Sequence, residues 1–91
     1  MRYRIDSMPP ASYQYHPWVL EVLARHGARP TPATPPELVH DFVNDLYRYE
    51  LRRLRDALLA GEFLKAEYYG RVVALRGRYP LLSLKPWQWV V

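Results

Sequence analysis

The pattern of apolar and polar residues predicts one long helix in the middle of the chain, from Thr34 to Gly61. Thr34 and Glu37 have the spacing of a capping box, in which each side chain bonds the backbone N–H of the other. Gly61 is the residue type that most readily takes the left-handed conformation that ends a helix. No glycine or proline stands between Pro36 and Gly61, so we expect the helix to be unbroken.

The apolar residues of this helix fall into two stripes when successive residues are placed about 100° apart. The first stripe consists of Leu38, Val39, Phe42, Val43 and Leu46. The second, rotated from the first by roughly 110°, consists of Tyr47, Leu51, Leu54 and Leu58. We therefore expect the first half of the helix to pack on the preceding segment, and the second half on the following segment or on another chain.

Shorter helices are predicted on both sides of the long one. The first begins at Pro17 and ends before Gly27. The other begins near Leu64 and ends before Pro80, with an apolar face made of Leu64, Tyr68, Val72, Leu75 and Tyr79. The predicted fold is therefore an all-α, three-helix domain over residues 16–91, with an irregular N-terminal arm at residues 1–15.

Small residues line the opposite side of the third helix, at Ala66, Gly70, Val73 and Gly77. A glycine inside a helix costs roughly 1 kcal/mol relative to alanine. One interpretation is that this row lets a second helix, from this chain or a partner, approach closely. The alternatives are that the glycines are tolerated on a solvent-facing side or mark an earlier end of the helix.

The C-terminal tail, residues 81–91, is strongly apolar. Its apolar members are Leu81, Leu82, Leu84, Trp87, Trp89, Val90 and Val91. Because so much apolar surface favours association when it is left in water, we expect the tail to fold back over the helices or to insert into a partner.

Size and composition argue against an enzyme. A single domain of 91 residues rarely encloses a pocket, so an active site would have to be assembled between subunits. The chain has no cysteine, which excludes disulfides and thiolate metal sites. Glu37 and His40 have the spacing of a helical di-metal pair, but no second pair exists and the cap explains Glu37. We predict neither a cofactor nor a metal.

Charge suggests an alternative function. The net charge is +4, and residues 48–91 contain nine basic and four acidic side chains. The candidate nucleic-acid contacts are Arg48, Arg52, Arg55, Arg71, Arg76 and Arg78. Asp45, Glu50 and Asp56 stand three or four residues from arginines, however, so the competing interpretation is a solvated helix surface with intrahelical ion pairs.

One segment resembles a known family. Leu51, Leu54 and Leu58, followed by Gly61, Phe63, Glu67 and Tyr68, are similar in spacing to the short bacterial helical hairpins called SHOCT domains. Leu64 stands where that family usually places a serine or threonine cap. The resemblance covers residues 51–75 and implies oligomerisation or partner binding rather than catalysis.

The sequence thus predicts a small protein-interaction or self-assembly module, whose partner is a second copy of the chain or another protein. Its candidate surface consists of Tyr47, Leu51, Leu54, Leu58, Ala66, Gly70, Val73, Gly77, Trp87 and Trp89. No run of about 18 apolar residues suggests a membrane span. The N-terminus lacks the apolar stretch of a signal peptide, so we expect a cytoplasmic protein.

Overall fold

Three α-helices and two short 3₁₀ helices make up the computed structural model, which describes residues 12–91. The helices are α1 (Pro17–Arg25), α2 (Pro36–Leu59) and α3 (Lys65–Gly77), and the 3₁₀ helices are Pro80–Ser83 and Pro86–Gln88. Over this part of the chain the extended structure is limited to one isolated bridge, between Tyr15 and Val90. The predicted all-α class, with an unbroken central helix, is confirmed. Residues 1–11 of the predicted arm lie outside the described residues.

The end of α2 follows the prediction from Gly61. This glycine has a φ of +77°, and its N–H donates to the Leu58 carbonyl at 3.0 Å. The next N–H, of Glu62, donates to the Ala57 carbonyl at 3.0 Å, which completes a Schellman motif. Gly27, with a φ of +83°, ends α1 in the same way.

The glycines of the chain are expected to respond differently to alanine. Gly61→Ala should lower the free energy of unfolding by about 1–2 kcal/mol, because a Cβ is strained at positive φ. Gly70→Ala should raise it by roughly 0.5–1 kcal/mol, since Gly70 lies inside α3 and a Cβ there meets nothing within 4 Å. Urea denaturation measures both. Effects of the same sign would contradict the difference in backbone conformation.

The predicted capping box at the start of α2 is wrong. The N-cap residue is Pro35, and no side chain caps the helix. The Thr34 N–H donates to the Thr31 carbonyl at 2.9 Å and not to the Glu37 carboxylate. The Thr34 hydroxyl accepts from the Thr31 N–H at 3.0 Å. Thr34 therefore closes a turn with Thr31 instead of capping α2.

The core lies at one end of the molecule. Its buried members come from α1, the first half of α2, the end of α3 and the tail: Tyr15, Val19, Leu23, Val39, Val43, Leu75, Tyr79, Leu81 and Trp89. The first stripe of α2 is only partly used, because Val39 and Val43 are buried whereas Leu38 and Phe42 are 63% and 48% exposed. Leu46 is half-buried.

The tail folds back onto the helices, one of the two arrangements expected from its composition. The His16 N–H donates to the Trp89 carbonyl at 3.1 Å, and the Val91 N–H donates to the Gln14 carbonyl at 2.8 Å. The Trp89 indole N–H donates to the Leu81 carbonyl at 3.3 Å. Trp89 is fully buried within the chain, so its assignment to the interaction surface is wrong. Trp87, by contrast, is 69% exposed.

The second half of α2 and most of α3 form a two-helix hairpin that extends beyond this core. No residue from Asn44 to Ala74 is buried. Leu59, the last residue of α2, lies about 24 Å along the helix from the core residue Val43. We call residues 44–74 the outer hairpin. Within residues 12–91, none of the helices is both long enough and apolar enough to cross a membrane.

Candidate protein-interaction surface

The second stripe of α2 faces α3, the segment that follows it. Tyr47, Leu51 and Leu54 are half-buried and pack against the core cluster. The Tyr47 and Tyr79 ring centroids are 5.1 Å apart, and Leu54 and Leu75 line the same cleft between the helices. Leu58, the last member, is also half-buried. These four residues of the predicted surface therefore lie along the α2–α3 side of the hairpin, and each keeps part of its side chain in solvent.

Tyr79 joins the base of the hairpin to the rest of the fold. Its ring stacks on His26 with centroids 4.4 Å apart, and its hydroxyl donates to the Glu50 carboxylate. Arg78 also reaches Glu50, at 3.3 Å between Nη2 and Oε1. Tyr79, two residues beyond the end of α3, is therefore bonded to the middle of α2 and stacked on the C-cap of α1.

Burial raises the pKa of Tyr79 strongly, and the hydrogen bond to Glu50 and the charge of that carboxylate add to the rise, whereas Arg78 opposes it. The pKa of Tyr15 is also raised, first by burial and then by the charge of Glu37. Unfolded tyrosine ionises near pH 10, about its ordinary pKa. Both side chains therefore keep their protons in the folded protein at pH values where the unfolded chain loses them.

This difference predicts alkaline destabilisation. The stabilising contribution of the two tyrosines is fully present below about pH 10 and is lost as the pH rises towards their pKa values in the folded protein. Urea denaturation at a series of pH values should show the free energy of unfolding falling above pH 10 by less in Tyr79→Phe than in the wild type. Tyr69→Phe is the control, because Tyr69 is 77% exposed. Equal slopes in the wild type and Tyr79→Phe would contradict the assignment.

The row of small residues on α3 faces away from α2 and lies open. Ala66, Gly70, Val73 and Gly77 are all exposed, and a Cβ added at either glycine meets nothing within 4 Å. The helix runs through Gly70 and reaches Gly77, so Gly70 does not end it. Tyr69 and Val73, 77% and 51% exposed, add apolar surface on this side. Within residues 12–91, no second helix covers this face.

The candidate nucleic-acid contacts Arg48, Arg52, Arg55, Arg71, Arg76 and Arg78 are all exposed. The intrahelical ion pairs predicted along α2 are not found among the described residues. Glu50 pairs with Arg78 across the hairpin, because its side chain lies on the side of α2 that faces α3. The other ion pair in this part of the chain is Arg71 with Glu67, at 3.3 Å along α3. Of these two ion pairs, one therefore joins α3 to α2 and the other lies within α3.

A cleft of about 420 Å³ separates α2 from α3 and opens to solvent. Its apolar lining comes from Leu54, Ala57, Phe63, Ala74 and Leu75, and its charged lining from Glu50, Arg53, Glu62, Arg71 and Arg78. The Arg71 guanidinium lies over the Phe63 ring, 4.2 Å from its centroid. An apolar floor with a charged rim is the usual composition of a protein–protein contact. Sequence reasoning missed the cleft, since its two walls come from separate helices that only the tertiary packing brings together.

Glu37 and His40, which have the spacing of a helical di-metal pair, lie in different surroundings. Over residues 12–91, no group of three or more histidine and acidic side chains is placed to hold a metal ion. Glu37 is exposed, while the His40 ring lies 5.3 Å from the Trp89 ring. His40 therefore packs beside the core.

Comparison with protein-family models, with curated proteins and with solved structures finds no match to this chain. The similarity of residues 51–75 to SHOCT domains stays a prediction.

Proposed function

We propose that this protein is a small, cytoplasmic protein-interaction module that binds its partner through the outer hairpin. The observation that supports this most directly is that no residue from Asn44 to Ala74 is buried. Two helices can cover only one side of each other, so their other apolar positions need a further layer to exclude water. A partner surface would supply that layer.

The exposed side chains of the hairpin have the character of an interface. Leu59 and Leu64, at its tip, are 78% and 69% exposed, and Tyr69 and Val73 continue the apolar surface along α3. Arginine and tyrosine are enriched at protein interfaces, and both surround these residues. The resemblance of residues 51–75 to SHOCT hairpins implies the same kind of function, oligomerisation or partner binding. The proposal includes no catalytic step and no cofactor.

Val73→Glu tests the proposal, because it places a charge on the exposed apolar side of α3. Light scattering across the micromolar range measures whether the wild type self-associates. If it does, Val73→Glu should be monomeric. If the wild type is a monomer, cross-linking in cells should join it to a specific protein that Val73→Glu fails to capture. Val91→Glu is the control, since Val91 is 78% exposed but lies in the tail. Equal assembly or capture by wild type and Val73→Glu would contradict the proposal.

A second candidate function is nucleic-acid binding. Arg48, Arg52 and Arg55 lie on one face of α2, and within the described part of the chain none of them is in an ion pair. Guanidinium groups left without carboxylates are available for phosphate contacts.

Titration with labelled single-stranded DNA and RNA at two salt concentrations tests this candidate. Phosphate-driven binding weakens steeply with salt, and replacing all three arginines with glutamine should reduce both affinity and salt dependence. Absence of binding at low salt, or equal binding by the triple variant, would reject the candidate.

A further inference from the structure

The outer face of α3, centred on Ala66, Gly70, Val73 and Gly77, lies on the side of the helix opposite α2. Val73 is 51% exposed, and Tyr69 beside it is 77% exposed. Glycine inside a helix is destabilising relative to alanine, and a Cβ added at Gly70 meets nothing within 4 Å. Contacts within residues 12–91 therefore do not require glycine at position 70. Close approach of a helix from outside this part of the chain would require it.

The spacing along this face is the same in both directions. Its four central residues are separated by intervals of four, three and four residues. A two-fold axis midway between Gly70 and Val73 therefore brings the face of one α3 onto the same face of an antiparallel copy. Each Val73 then lies against the partner's Gly70, and each Ala66 lies against the partner's Gly77. A two-fold interface needs this self-complementarity, because every contact in it occurs twice with the two residues exchanged.

The side chains that border the face are complementary in the same orientation. Glu67 and Arg78 lie on one flank, and Tyr69 and Arg76 lie on the other. An antiparallel two-fold pair joins like flanks, so each Glu67 is near the partner's Arg78 and each Tyr69 is near the partner's Arg76. These contacts are an ion pair and a cation–π pair. A parallel pair would instead bring the arginine-bearing ends of the two helices together, where like charges repel.

The charged members of this border are accessible. The Glu67 and Arg78 side chains are 48% and 62% exposed, although each already has an ion-pair partner within the chain. The outer hairpin as a whole is close to neutral, with six basic and five acidic side chains over residues 44–74. Repulsion between two hairpins is therefore weak. A nucleic acid or an acidic peptide would fit a uniformly basic face, whereas this one has a glutamate on the same flank as an arginine.

We propose that the outer face of α3 is a homodimer interface, in which two copies of the chain pack their third helices antiparallel about Gly70 and Val73. The inference rests on the proposed function of the outer hairpin, and it commits that function to one partner, a second copy of the chain. A helix of 13 residues is about 20 Å long. The contact is therefore small, and the expected dissociation constant is in the micromolar range.

Gly70→Ala should affect folding and association in opposite directions. In dilute solution, where the chain is monomeric, the variant should unfold at a higher urea concentration than the wild type. In the dimer the added methyl group would collide with the partner's Val73. Sedimentation equilibrium should therefore give a dimer dissociation constant about tenfold larger, or more, than that of the wild type. Arg52→Ala is the control, because Arg52 is exposed on α2, and its dissociation constant should be unchanged. Equal or tighter association of Gly70→Ala would overturn the proposed contact.

Cross-linking tests the orientation, because the chain contains no cysteine of its own. Ala66→Cys and Gly77→Cys are prepared as separate proteins, mixed and oxidised, and the products are distinguished by mass spectrometry. A disulfide forms readily only when the two Cα atoms are about 4.4–6.8 Å apart. The mixed disulfide should therefore form faster than a disulfide between two copies of either variant. Faster formation of the like-with-like disulfides would overturn the antiparallel arrangement.

The same measurements separate this inference from the proposed function. A wild type that stays monomeric up to about millimolar concentration and gives no mixed disulfide overturns the homodimer. Under that outcome, capture of another protein in cells that is lost in Val73→Glu would still support a hairpin that binds a partner. Absence of both the dimer and a Val73-dependent capture would overturn the two proposals together.

Discussion

Replacing Trp89 with alanine is expected to lower the free energy of unfolding by about 3–5 kcal/mol, the usual cost of truncating a large buried aromatic side chain. Trp89 is the largest of the fully buried side chains. Its indole bonds the Leu81 carbonyl, and its ring lies beside His40 on α2. The cavity would therefore open where the tail, the second 3₁₀ helix and α2 meet. Small domains have about 5–15 kcal/mol of stability in total, so the variant should be close to unfolding.

Trp87→Ala is the matched control for this substitution. It removes the same side chain two residues away, but Trp87 is 69% exposed, so its effect should stay within about 0.5 kcal/mol. Urea denaturation followed by far-UV circular dichroism compares the two variants without depending on tryptophan fluorescence. Losses of similar size would contradict the placement of the tail.

Leu75→Ala should lower the free energy of unfolding by about 2–5 kcal/mol. Leu75 is 4% exposed and is the first buried residue of the chain after Val43. Leu75 is the buried residue of α3, and Tyr79 just beyond the helix is buried as well, so the attachment of α3 to the core depends mainly on these two side chains. Removing the leucine side chain should therefore loosen α3 more than α1.

Hydrogen exchange measures that regional difference. Amides of α3 should lose protection in Leu75→Ala before those of α1 do, because local opening follows the density of buried contacts. Leu64→Ala is the control, since Leu64 precedes α3 and is 69% exposed. Uniform loss of protection across all three helices would show that the hairpin is not a separate unit of stability.

Local signals in the chain predict where the helices lie. Gly27 and Gly61 both have positive φ and end their helices, as their residue type indicates. The absence of glycine and proline between Pro36 and Gly61 predicts the unbroken course of α2. The capping box failed because the Thr34 N–H is bonded to Thr31, a competing local turn that the same residue types favour.

Local signals do not predict which apolar residues are covered. Leu64 and Leu75 belong to one predicted face of α3, yet the first is exposed and the second is buried. Trp87 and Trp89 are equally apolar, and only the 3₁₀ turn at Pro86–Gln88 directs one into the core and leaves the other in solvent. Helical periodicity defines a face, but burial depends on whether another element reaches that part of it.

The chain by itself determined three helices, the glycine-terminated ends of α1 and α2, and the two-sided character of α2, because these follow from backbone conformational preferences and from residue spacing along one helix. Only the tertiary structure decided that Tyr79 bonds Glu50 and that the outer hairpin has no core of its own. Tyr79 and Glu50 are 29 residues apart in the sequence. Contacts over such separations depend on how whole elements pack, and no local pattern of residues encodes them.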